Sequence, residues 1–101
     1  MKYLITGLPG STPIPLEQGA GLLGAGMAWI KSKLADGTID CHYSLLGGGG
    51  LAILNAASHE QVLVDIIAYP LYPFFIWEVT PLLDFEGAYE EYIRFYERLT
   101  S

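Results

Sequence analysis

Hydrophobic and polar positions along this chain change period several times, and each change marks an element. Residues 2 to 7 run Lys2, Tyr3, Leu4, Ile5, Thr6 and stop at Gly7 ahead of Pro9-Gly10-Ser11-Thr12-Pro13, which predicts a short strand and a turn-rich loop. From Leu16 the spacing lengthens to four and three, with Leu16, Ala20, Leu23, Met27, Ile30 and Leu34 on one helical face that ends near Asp36-Gly37. Gly19, Gly21, Gly24 and Gly26 each weaken that helix by roughly 1 kcal/mol relative to alanine, so they imply close packing against another backbone or room for a ligand. Alternation returns over 38 to 46, with Ile39, Cys41, Tyr43 and Leu45 on one side and Asp40, His42, Ser44 and Leu46 on the other. Gly47 to Gly50 then turn the chain into Leu51-Ala52-Ile53-Leu54-Asn55, the second strand of a hairpin.

Ser58 followed by Gln61 forms a capping box, and the helix it opens runs to Tyr69 before Pro70 ends it, burying Val62, Ile66 and Tyr69. Phe74 to Thr80 is rich in aromatic and β-branched residues and reads as a fourth strand. Residues 85 to 99 form an amphipathic helix, with Tyr89, Tyr92, Ile93, Tyr96 and Leu99 opposite Glu90, Glu91, Arg94, Glu97 and Arg98. The expected fold class is therefore α+β: a single ferredoxin-like β-α-β-β-α-β domain over residues 1–101 with an extra C-terminal helix. Helices cover one face of such a sheet. The other face would carry Leu46, either Ala52 with Leu54 or Leu51 with Ile53, and either Phe74 with Ile76 or Phe75 with Val79, which is too apolar for water and implies a second copy of the chain against it.

Composition narrows the partners. Five Lys and Arg against eleven Asp and Glu give a net charge of −6, and no basic cluster exceeds Lys31 with Lys33, so nucleic acid is excluded as a favoured partner. Disorder is excluded by 51% hydrophobic and 16% charged residues. The segment Ile14 to Ile30 is too short and too glycine-rich for a membrane span, and the start lacks an apolar core for a signal peptide. Cys41 is the only cysteine, so no internal disulfide forms and a cytoplasmic location is expected.

Candidate chemistry is sparse. Asp40, His42 and Ser44 share a predicted strand face in the residue types of a hydrolase triad, but same-face neighbours sit roughly 6.6 Å apart and no nucleophile elbow accompanies them, which favours a polar strand face. His42 alone is the better candidate as a proton carrier or ligand donor. Glu78, set between Trp77 and Val79, is the carboxylate expected to be desolvated, with a salt-bridged or exposed position as the plainer reading. Trp29, Tyr43, Tyr72 and Trp77 are candidate ligand-binding aromatics or ordinary core. Cys41 and His42 point to opposite faces and His59 is expected to face solvent, so no metal site is expected. No cofactor motif is present. The strand order also occurs in RNA-recognition domains, yet Leu51 to Asn55 has no stacking aromatics.

The passage Ser58-His59-Glu60-Gln61 through Tyr69-Pro70-Leu71-Tyr72-Pro73-Phe74 to Trp77-Glu78-Val79 resembles the muconolactone isomerases. The resemblance covers about residues 51 to 83. It implies a dimeric α+β barrel, in a superfamily that includes isomerases, cofactor-free monooxygenases and haem enzymes. Proton shuttling from acidic and charged groups in the middle of the first helix is also implied, but here that segment falls on Gly24, Ala25, Gly26, Met27 and Ala28, and Glu17 lies more than two turns away. The expected function is a small-molecule-binding homodimer, or an assembly of dimers, acting as a cofactor-free isomerase or related proton-transfer enzyme on a small apolar or aromatic-derived substrate. His42 and Glu78 are its candidate catalytic residues. The alternative is a non-enzymatic interaction or ligand-sensing module. Gel filtration at micromolar concentration is expected to give a dimer, and a monomer would defeat the two-faced-sheet argument.

Overall fold

The computed structural model describes all 101 residues. Strand β1 (Lys2–Pro9) leads through a single 3-10 turn at Leu16–Gln18 into helix α1 (Gly19–Ala35). Strands β2 (Ile39–Ser44) and β3 (Gly50–Asn55), helix α2 (His59–Ile67), a 3-10 turn at Tyr72–Phe74, strand β4 (Phe75–Leu82) and helix α3 (Phe85–Thr100) follow. The four strands form one antiparallel sheet in the order β2-β3-β1-β4, the α+β ferredoxin-like arrangement expected from the sequence. The core lies on one face, where Tyr3, Ile5, Ile39, Ala52 and Leu54 of the sheet meet Val62 and Ile66 of α2. No helix is long and apolar enough to cross a membrane.

Local chemistry explains both the agreements and the shifts. Ser58 Oγ accepts from the Gln61 backbone N–H at 3.1 Å, which caps α2 as expected. β1 runs past Gly7 to Pro9 because Gly7 sits in register with Trp77, whose indole covers it: a Cβ there would lie 3.0 Å from Trp77 Cζ3. The β2–β3 loop closes with Leu45 N–H donating to the Gly49 carbonyl at 2.9 Å. Gly49 has φ +82°, and a Cβ on it would fall 2.1 Å from the Gly7 carbonyl oxygen, so the loop presses onto β1 as no other residue would allow.

Two sequence expectations are corrected. Ile39 pairs with Leu54 and Cys41 with Ile53, so Asp40 is the extra residue of a β-bulge. The alternation breaks there: His42 and Ser44 share the helix-facing side with Ile39, while the Asp40 carboxylate accepts from Asn55 Nδ2 at 2.6 Å and pairs with Lys2 on the opposite face. Asp40, His42 and Ser44 therefore do not form one constellation. In α1, Leu23, Met27 and Leu34, expected in the core, are exposed, and the helix turns Leu22, Gly26, Trp29 and Ile30 inward instead. A helix that is apolar all round has no preferred face, so the close approach at Gly26 decides its rotation.

The sheet face away from α1 and α2 is uncovered, and α3 buries none of its residues. Principal extents of 66 × 29 × 24 Å and a radius of gyration of 17.3 Å describe a domain with a projecting arm, against about 13 Å for a compact chain of this length. Replacing Gly49 by alanine is expected to cost about 2 kcal/mol or more, through left-handed strain and the clash with Gly7. Urea unfolding measures this, and a loss below about 0.5 kcal/mol would contradict the loop geometry. In the same assay Ser58→Ala is expected to cost about 1 kcal/mol.

Candidate functional site

Between α1, α2 and the core face of the sheet lies a cavity of about 530 Å³, partly open to solvent. Its size is that of a small-molecule site. Aromatic rings hold it open. Tyr69 meets Trp29 and Trp77 edge-on, at centroid distances of 5.3 and 5.8 Å, and Phe75 meets Trp77 at 5.9 Å. Trp77 Nε1–H donates to the Tyr72 carbonyl at 3.0 Å, which fixes the indole in the wall. α1 approaches this group at Gly26, where an added Cβ would lie 3.0 Å from Leu71 Cδ1 and 3.3 Å from the Tyr69 hydroxyl. Gly26 therefore packs closely, but against side chains rather than the other backbone expected for the helix glycines, and Gly21 and Gly24 pack against nothing within 4 Å.

The polar side chains on the wall include Lys31, His42, Ser44, Asp65 and Tyr69. The His42 ring lies over Gly50, whose missing Cβ would sit 3.2 Å from Cε1, and desolvation lowers its pKa below the ordinary 6.5, so the imidazole is neutral at physiological pH. Burial raises the pKa of the Tyr69 hydroxyl, which therefore stays protonated and able to donate. Asp65 is buried, with 7% of its surface exposed, and its Oδ1 accepts from Gln61 Nε2 at 3.0 Å. A base, a donor and a buried carboxylate thus line a mostly apolar space, with Lys31 and Ser44 as its other polar side chains. No three His, Cys, Asp or Glu side chains come together to hold a metal ion.

Of the residues singled out in the sequence, His42, Trp29 and Trp77 are brought together on the cavity wall. Tyr72 stands behind it, stacked on Trp77 at 6.1 Å with 15° between the ring planes. Tyr43 and Glu78 are elsewhere: Tyr43 pairs with Leu51 and Glu78 with Thr6, and both are exposed on the uncovered sheet face. His59 is exposed but tied to the Tyr3 hydroxyl through Nδ1 at 2.8 Å. Asp65 and Tyr69 join the site although the sequence marks neither for chemistry. The one signal is for Asp65, a carboxylate one position from Ile66 in an apolar helix run, with Gln61 four residues earlier to bond it.

The neutral histidine sets a pH dependence. In the unfolded chain His42 binds its proton near 6.5, and in the folded chain only at lower pH. Across that window the unfolded state holds more protons, so this contribution to stability is full above about 6.5 and lost as the pH falls through the window. Thermal unfolding from pH 7.5 to 5 is expected to show a shallower decline in His42→Gln than in the parent. Parallel curves would contradict the burial of His42.

No family model matches the sequence, and a search of curated proteins gives no match. Solved structures do resemble it. Muconolactone isomerase matches with a TM-score of 0.73 at 15% identity, over 83% of this chain and 90% of that one. The 5-chloro-2-hydroxyhydroquinone dehydrochlorinase of Burkholderia phenoliruptrix, in complex with 2,5-dihydroxybenzoquinone, matches with a TM-score of 0.67 at 20% identity, over 82% of this chain and 94% of that one. The single-chain part of the fold implied by the Pro70–Phe74 turn and the Trp77-Glu78-Val79 strand is observed: this chain has the muconolactone isomerase-like α+β architecture.

Proposed function

We propose that this chain binds a small ring-shaped, apolar or aromatic-derived molecule in the cavity and moves a proton on it without a cofactor. The observation that carries the reading is a neutral imidazole and a buried carboxylate on the wall of an aromatic-lined cavity. His42 is the base that takes a proton from carbon beside a carbonyl, and the protonated Tyr69 hydroxyl donates to the oxygen on which charge develops. Asp65 holds or returns the proton, replacing an acid that the middle of α1 does not supply. Trp29 and Trp77 supply the apolar walls, with Tyr72 supporting Trp77. The 2,5-dihydroxybenzoquinone held by the structurally similar dehydrochlorinase supports a hydroxylated or quinonoid ring as the ligand class.

The working unit is a homodimer in the cytoplasm, in which the uncovered sheet faces pair. Leu4, Leu51, Ile53 and Ile76 alternate with the core residues and so lie on that face, with Tyr43 and Glu78. Pairing would desolvate Glu78, which gives that carboxylate an assembly role or a second proton-transfer position. The second reading, a ligand-sensing module without turnover, is favoured by the absence of any ionisable side chain from Gly24 to Ala28.

Calorimetry with 2,5-dihydroxybenzoquinone and deuterium incorporation from D2O into muconolactone test the proposal together. Binding with catalysed exchange is expected, and His42→Gln is expected to slow exchange about 10²-fold or more while leaving the binding enthalpy measurable. Binding without exchange would leave the sensing module. Absence of both would overturn the site, and exchange indifferent to His42→Gln would overturn the role of that residue.

A further inference from the structure

The arm formed by α3 has no partner within its own chain. Phe85, Tyr89, Tyr92, Ile93, Tyr96 and Leu99 are each between 56 and 68% exposed. The chain exposes 7151 Å², whereas a compact monomer of 11.1 kDa would expose about 5,700 Å². The surplus of roughly 1,500 Å² per chain exceeds the about 800 Å² per partner of a stable protein interface. One flank of α1, at the cavity edge, is likewise unpartnered. Leu23 and Met27 are more than half exposed, and an added Cβ at Gly24, one turn before Met27, would meet nothing within 4 Å, which leaves room for large rings to approach.

The two helices match in length and charge. α1 and α3, with 17 and 16 residues, are each about 25 Å long. The charged residues of α1 are Lys31 and Lys33, whereas α3 carries Glu86, Glu90, Glu91 and Glu97 against Arg94 and Arg98. We infer that α3 of one copy docks along the Leu23–Met27 flank of α1 of a second copy, its tyrosine stripe over those two residues and its glutamates towards Lys31. Leu23, Met27 and Lys31 also line the cavity, at its α1 edge. The docked arm therefore closes the cavity mouth, so that each site is completed by another copy. This closure rests on the binding function proposed above.

Hydrogen exchange of the full-length protein tests the docking. A docked α3 exchanges slowly at micromolar concentration and loses protection on dilution; protection unchanged by dilution, or none at any concentration, overturns the inference. Protection that needs anionic phospholipid vesicles overturns it in favour of a membrane surface. Ile93→Glu and Met27→Glu are each expected to abolish α3 protection, and mixing them to restore it in part, because one supplies the intact α1 and the other the intact α3. No recovery on mixing two folded variants, judged by far-ultraviolet circular dichroism, points to pairing within one chain or between two arms and overturns the inference. Ile93→Glu is also expected to weaken binding of 2,5-dihydroxybenzoquinone about tenfold. If the parent protein binds no quinone while α3 protection behaves as described, the binding proposal fails and the docked arm stands; if it binds quinone while α3 exchanges freely, the arm fails alone.

Discussion

The structure depends on one close approach, the contact of α1 with Tyr69 and Leu71 at Gly26. A Cβ there would force the Leu71 methyl and the Tyr69 ring to give way by a few tenths of an ångström. Because Gly26 permits the contact, α1 is pinned at its midpoint while Trp29, Tyr69 and Trp77 prop the space around it. The partly open cavity of about 530 Å³ is bordered by these rings, held edge to edge in fixed geometry. Two further glycines serve the same end: Gly7 accepts the Trp77 indole, and Gly50 accepts the His42 ring.

That arrangement carries a stability cost visible in the surface. The core is small, and apolar area remains on the outer sheet face, on α1 and along α3. Burying it in an assembly would stabilise the fold by the same hydrophobic term that a larger domain gains internally. The cavity and the proposed assembly thus draw on a single allocation of apolar surface, with space kept inside the chain and apolar area left on its outside.

Most of the fold was legible in the sequence because it rests on local rules. Alternation located β1 and β2, the glycine turn β3, and aromatic and β-branched content β4, while Ser58 with Gln61 opened α2, which ends at Ile67, two residues before the Tyr69 end expected from Pro70. The site was legible only in part. The bulge at Asp40 adds one residue to β2 and no alternation rule anticipates it, so the side of the sheet on which Asp40 lies could not be read. Trp77 and Glu78, being adjacent on a strand, had to face opposite ways, a constraint that separates the aromatic wall from the carboxylate. α1 is apolar all round and carried no information about its rotation. Asp65 is masked by the apolar residues around it, since only the packing of α2 on the sheet turns that position inward.

The central claim is that His42 stands as a neutral base in a cavity that accepts a small ring. Nitrogen NMR of the His42 imidazole across a pH series, with and without 2,5-dihydroxybenzoquinone, tests it most directly. The account predicts a titration midpoint below the ordinary 6.5 and a resonance that moves when the quinone is added. A midpoint at or above 6.5 with a resonance indifferent to the quinone would contradict it.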